Sequence, residues 1–261
     1  MPFDRLQAVT PPDRLQAVTP PHIGPSTALF LDLDGTLIDF APTPDAVVIP
    51  SGLTASLETL RHRLGGALAI ITGRPVEQVD ALLGEATPHV VAGEHGGAIR
   101  HSPGGVLERG DHPVVPAPWL AEAEAIVARL PGTLLERKAR GVTLHFRGAP
   151  AAGPALRQLA DALLAALPSH ELLAGSMVWE VRPRGVHKGN ALRALMARQP
   201  FLGRTPFFIG DDVTDEDAIR AARAMGGIGL RVDAAFGGPP DVRDWLAREA
   251  ARNWTISGEQ P

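Results

Sequence analysis

Residues 29–40 read LFLDLDGTLIDF, and the fold turns on how this stretch is interpreted. Ala28 to Leu33 is an apolar run without period-2 alternation, the pattern of a parallel strand covered on both faces. Asp32, Asp34, Gly35 and Thr36 fall at its end. Buried charges must be paired or metal-bound, so a purely structural strand gains little from two carboxylates one residue apart. Such a pair can hold a cation and attack an electrophile. A lone Asp-x-Asp-Gly-Thr string is only moderately specific. Three later apolar runs with polar ends sharpen it: Ile70-Ile71-Thr72-Gly73-Arg74, Gly185 to Gly189 around Lys188, and Phe207-Phe208-Ile209-Gly210-Asp211-Asp212.

Working outward, Leu53, Leu57, Leu60 and Leu64 recur at helical spacing, and Gly65-Gly66 ends that helix. Ala67 to Thr72 reads as the next strand, and Pro75 suits the first turn of a helix running to Gly84. His89 to Gly93 reads as a third strand entering the turn Gly93-Glu94-His95-Gly96-Gly97. Strands resume over 205–211 and 226–232, and between them Thr214 with Asp217 predicts a capping box opening a helix. This alternation predicts a doubly wound α/β parallel sheet, with ligands at the carboxyl ends of its strands.

The interval 111–183 has another rhythm: a helix over 117–130, strands over 133–138 and 141–147, a helix over 154–167, then a hairpin over 170–174 and 177–182. The order αββαββ predicts an antiparallel sheet with helices on one face, inserted as a cap domain between core segments 26–110 and 184–257. Ahead of the core, DRLQAVTPP at 4–12 is repeated letter for letter at 13–21. The repeat is too short for a solenoid unit, and residues 1–25 read as a mobile tail without chemistry.

Composition narrows the function. A net charge of −4 offers no basic surplus for nucleic acid or an anionic membrane. Without cysteine there is no disulfide framework and no thiolate metal site, so any metal is held by oxygen or imidazole. The apolar stretches are far shorter than the ~20 residues that span a bilayer. With no signal-peptide pattern at its start, the chain is expected to be cytoplasmic.

In order, Asp-x-Asp, Thr, Lys and Gly-Asp-Asp resemble the haloacid dehalogenase-type phosphohydrolases. For phosphate-ester hydrolysis, Asp32 suits the nucleophile that forms an aspartyl-phosphate. Asp34 suits the general acid and base, provided burial or like charge raises its carboxyl from the ordinary ~3.9. Thr72 and Lys188 suit the phosphoryl oxygens. Mg²⁺ suits Asp32, the backbone carbonyl of Asp34, and Asp211, with Asp212 and Asp215 as direct or water-mediated ligands.

Further segments resemble the trehalose-6-phosphate phosphatase family: GEHGG at 93–97, LERKARGVTLHFR at 135–147 and VWEVRPRGVHKG at 178–189. That resemblance implies trehalose 6-phosphate as the small-molecule substrate, with Glu136, Lys138 and Glu180 reaching sugar hydroxyls from the cap. It implies Arg147 and Arg182 in support or on phosphate, and Arg74, Glu94 and His95 along the core side. One departure is Phe146, where many members carry tyrosine. Two alternatives stay open. A relative acting on sucrose phosphate, mannosyl-phosphoglycerate or a hexose phosphate would share the core. A phospho-accepting receiver domain would share its Asp, Thr and Lys, although no cap interrupts such a domain.

Overall fold

A computed structural model describes residues 20–41, 47–84, 90–102, 104–111 and 113–254. All but the last two residues of the duplicated nonapeptide, and with them most of the expected tail, lie outside these residues, as do His89 and residues 42–46.

Strand β1, Thr27–Leu31, is buried along its whole length, as its unbroken apolar run requires. It lies between β2, Leu68–Ile71, and β10, Thr205–Gly210, parallel to both. Strands β3, Val90–Gly93, and β11, Ile228–Arg231, extend the parallel sheet on either side. Two short antiparallel strands, β4 (Ala98–Arg100) and β5 (Leu107–Arg109), then complete a seven-stranded sheet of order β11-β10-β1-β2-β3-β4-β5. The chain passes from β1 to β2 on one side and reaches β10 on the other. The carboxyl ends of β1 and β10 therefore flank the switch point where open α/β sheets bind ligands.

Helices α1 (Leu53–Arg63), α2 (Val76–Leu83), α5 (Lys188–Met196), α6 (Glu216–Ala224), α7 (Val232–Ala235) and α8 (Pro239–Ala251) accompany this sheet. Leu53, Leu57 and Leu60 of α1 face the core, as their spacing predicts. One part of the expected tail is anchored instead: Ile23 is buried, and its N–H donates to Glu249 Oε2 of α8 at 3.2 Å. The Pro-rich pattern gave no sign of this, because the partner lies 226 residues away.

Between β5 and α5 the chain forms α3 (Ala117–Val127), β6 (Leu134–Arg137), β7 (Val142–His145), α4 (Gly153–Ala166), β8 (His170–Gly175) and β9 (Val178–Pro183). The strands make a second, antiparallel sheet of order β6-β7-β9-β8. It has its own apolar cluster, in which Val142, Leu144 and Val181 meet Leu156, Ala160 and Leu163 of α4. Phe146, in the tyrosine position, stacks on Trp179 at 5.6 Å within that layer.

Lys188, read as part of an apolar run with polar ends, opens α5, whose N-cap is His187. One local expectation is corrected. The capping box is not Thr214 with Asp217 but Asp212 with Asp215, around a 3-10 turn over Val213–Asp215. A carboxylate at position 212 is as good a cap acceptor as the threonine two residues later, and it takes the earlier turn.

Candidate active site

Parallel register sets the site. Leu31 pairs with Ile209, so Asp32 emerges from the end of β1 beside Gly210, the last residue of β10, and Asp211 just beyond it. The Asp32 N–H still donates to Ile209 carbonyl at 3.0 Å, which holds this carboxylate at the strand end. Thr72 follows β2 in the same way and is buried, its Oγ1 accepting the Arg74 N–H at 3.2 Å.

Asp32, Asp211 and Asp215 each place an oxygen within 4.8 Å of the others. Lys188 Nζ donates to Asp32 Oδ1 and to Asp215 Oδ1, both at 2.6 Å. The other oxygen of Asp215 accepts the N–H groups of Asp211 and Asp212 at 3.1 and 3.0 Å. Asp215 is therefore fully buried and fully used, holding the lysine and the strand-end backbone together. Thr36 Oγ1 lies 3.5 Å from Asp32 Oδ2 and 3.4 Å from Asp211 Oδ1.

The crowding needs glycine. Gly35 has φ +77°, and a Cβ there would stand 2.2 Å from Asp211 Oδ2. A Cβ on Gly210 would lie 2.3 Å from Asp215 Cγ.

Electrostatics follow from burial. Desolvation, then Asp215, pushes the Asp32 carboxyl well up from its ordinary value, with Lys188 opposing. Burial and Asp215 push Asp211 up to about 6. Burial works against the Lys188 ammonium, but Asp215 and Asp32 carry its pKa upward, so it stays charged. Three carboxylates against one ammonium leave a surplus of negative charge at a hard oxygen cluster. These residues fit a divalent cation such as Mg²⁺. Asp212 is exposed and outside that cluster. The Asp34 carboxylate is outside it too, held bidentately by Arg74 at 2.6 and 2.7 Å.

Above these groups lies a cleft of about 820 Å³, walled by the strand ends below and the second sheet above. Of the expected sugar-side residues, Arg74, His95, Glu136, Lys138, Arg147 and Glu180 line it. Lys138 Nζ crosses to the Gly73 carbonyl at 2.9 Å and lies 3.2 Å from Glu136 Oε1. Glu180 meets His95 across the two sheets at 3.3 Å. Burial keeps His95 toward its neutral form. It also works against the Glu180 charge, but His95, Lys138 and Arg182 together hold that carboxyl below the usual range.

Glu94, expected along the core side, and Arg182, expected in support or on phosphate, line a smaller neighbouring recess with Lys138 and Glu180. Glu94 accepts the Ala139 N–H at 3.2 Å, and Arg182 pairs with Glu171 at 3.2 Å. Several lining residues were not anticipated: Phe40, Gln78, Thr143, His145 and Ser176. Alternation along β7 could have found Thr143 and His145, since Thr143 pairs with both Glu136 and Glu180, and His145, two residues on, shares its face.

A parallel-centred sheet with an acidic pair at its central strand, under an inserted α+β layer, defines a haloacid dehalogenase-like phosphohydrolase. The trehalose-phosphatase family model matches residues 30–239, and the chain belongs to that family. It is 42% identical to a probable trehalose-phosphate phosphatase of Sinorhizobium fredii, covering 82% of this chain and 78% of that protein. It is 36% identical to trehalose-6-phosphate phosphatase of Escherichia coli, over 84% and 85%. The fold matches the C-terminal domain of Candida albicans trehalose-6-phosphate phosphatase with a TM-score of 0.69 at 20% identity, covering 87% of this chain and 93% of that one.

Proposed function

We propose that this phosphatase hydrolyses trehalose 6-phosphate to trehalose and phosphate, with the second sheet and its helices acting as a cap over a core that does the chemistry. The observation that carries the reading is the junction itself: Lys188 joins Asp32 to Asp215 beneath a cleft whose roof presents Glu136, Lys138 and Glu180. Anionic chemistry lies below, and polar groups suited to hydroxyls lie above.

An Asp32 oxygen attacks phosphorus, the bond from phosphorus to the sugar oxygen breaks, and the leaving alkoxide takes a proton from Asp34. A water then attacks the aspartyl-phosphate and gives its proton to Asp34, releasing phosphate and restoring Asp32. Arg74 holds the Asp34 carboxylate from two nitrogens, and the ester's negative charge is a suitable second partner for this guanidinium when substrate binds. Lys188 and the Thr72 hydroxyl bear on the phosphoryl oxygens. Mg²⁺ held by Asp32 and Asp211, with Asp215 behind them, would offset repulsion between the nucleophile and its anionic target.

A panel of sugar phosphates with and without chelator tests this. Trehalose 6-phosphate should be the best ester, and chelation should remove its turnover. Preference for sucrose phosphate or a hexose phosphate would overturn the substrate, and full activity after chelation would overturn the cation.

A further inference from the structure

One buried polar group in the roof of the cleft has no use in the fold. Register across the antiparallel sheet sets Glu136 opposite Thr143, Thr143 opposite Glu180, and Glu180 opposite Leu173. This row crosses all four strands on one face, and all four residues line the cleft. The two glutamates are engaged: Glu136 with Lys138 and His145, Glu180 with His95. Thr143 between them is 4% exposed, and its Oγ1 has no hydrogen-bond partner.

A hydroxyl buried without a partner is destabilising. The fold does not ask for one at this position, because valine has nearly the same shape and suits a central strand at least as well. The flanking carboxylates can only accept hydrogen bonds, whereas a threonine hydroxyl can donate one and accept two. A sugar hydroxyl has that same dual character.

Building on the phosphatase reading above, we infer that Thr143 is a specificity-determining residue, whose hydroxyl bonds a hydroxyl of the substrate's sugar moiety held between Glu136 and Glu180. The ester's phosphate lies away from it, among the strand-end groups of the core. Thr143 therefore reads the alcohol part of the substrate and not the phosphoryl group.

The test compares wild type, Thr143→Val and Thr143→Ser on trehalose 6-phosphate and on p-nitrophenyl phosphate, which has no sugar. In Thr143→Val, kcat/KM should fall about tenfold further on the sugar ester than on the aryl ester, the size expected for one lost hydrogen bond. Thr143→Ser should recover most of that difference. The Tm of Thr143→Val should equal or exceed that of wild type, a result that a structural role for the hydroxyl would not give. Equal losses on both esters, equal losses in both variants, or a lowered Tm in the valine variant would each overturn the inference. If wild type prefers another sugar phosphate, the substrate reading fails alone, and the same comparison on that ester decides the role of Thr143. A wild type that hydrolyses the aryl ester as well as any sugar phosphate would leave no sugar to read and would overturn it too.

Discussion

Asp32 sits within reach of two other carboxylates and one lysine, and its chemistry depends on that balance. Asp211 shows the consequence, since burial and Asp215 raise its pKa to about 6. A group raised in this way takes up a proton as pH falls through that value, and the proton competes with a bound cation. Mg²⁺ affinity, followed by the Tm shift on titration, should therefore weaken about tenfold between pH 7.5 and 5. The same proton uptake makes the metal-free protein relatively more stable below pH 6 than above it, because relief of the surplus charge is lost as pH rises. Affinity that is flat across this range would contradict the charge balance described for the cluster.

Among the elements, β1 and β10 were legible because unbroken apolar runs ending in carboxylates have few other readings. Both β4 and β5 were not. Each has three residues, too few to show a period, and their sequence is interrupted by Ser102, Gly104 and Gly105. Helix α8 hides a role that no periodicity reveals. Its Glu249 is buried and takes His22 Nδ1 at 2.6 Å, the Ile23 N–H at 3.2 Å, and Arg252 at 3.0 Å. This carboxylate ties the segment before β1 to the end of the described chain. Glu249→Ala should cost about 2 kcal/mol by orphaning the buried Ile23 N–H and removing a buried carboxylate's bonds to His22 and Arg252, leaving Arg252 with the Ile23 carbonyl. Thermal unfolding should show it as a fall of several degrees; an unchanged Tm would mean that the segment adds nothing to the core.

Across the whole molecule, the two sheets meet through a few polar contacts: Lys138 on the Gly73 carbonyl, the Ala139 N–H on Glu94, and Glu180 against His95. Most of these residues stand out in the sequence, but which of them touch does not. Glu94 on the core side and Arg182 beside Glu171 line a recess at this seam, and pairing across sheets is a property of the closed arrangement that leaves no local pattern. The Lys188 position was legible as chemistry, but the five residues Gly185 to Gly189 are too few to show a period, so its place at the start of α5 was not. If these contacts hold the layers together, Lys138→Ala should speed limited proteolysis near 108–111 and 183–187 several-fold, while the far side of the core stays protected. Unaltered cleavage would show that the seam is held by something else.

The central claim is that Asp32 attacks the ester, and phosphate release by Asp32→Asn measures it most directly. The amide keeps the size of the side chain, so circular dichroism should show an intact fold while release from trehalose 6-phosphate falls to background. Release at the wild-type rate from a folded Asp32→Asn protein would contradict the account.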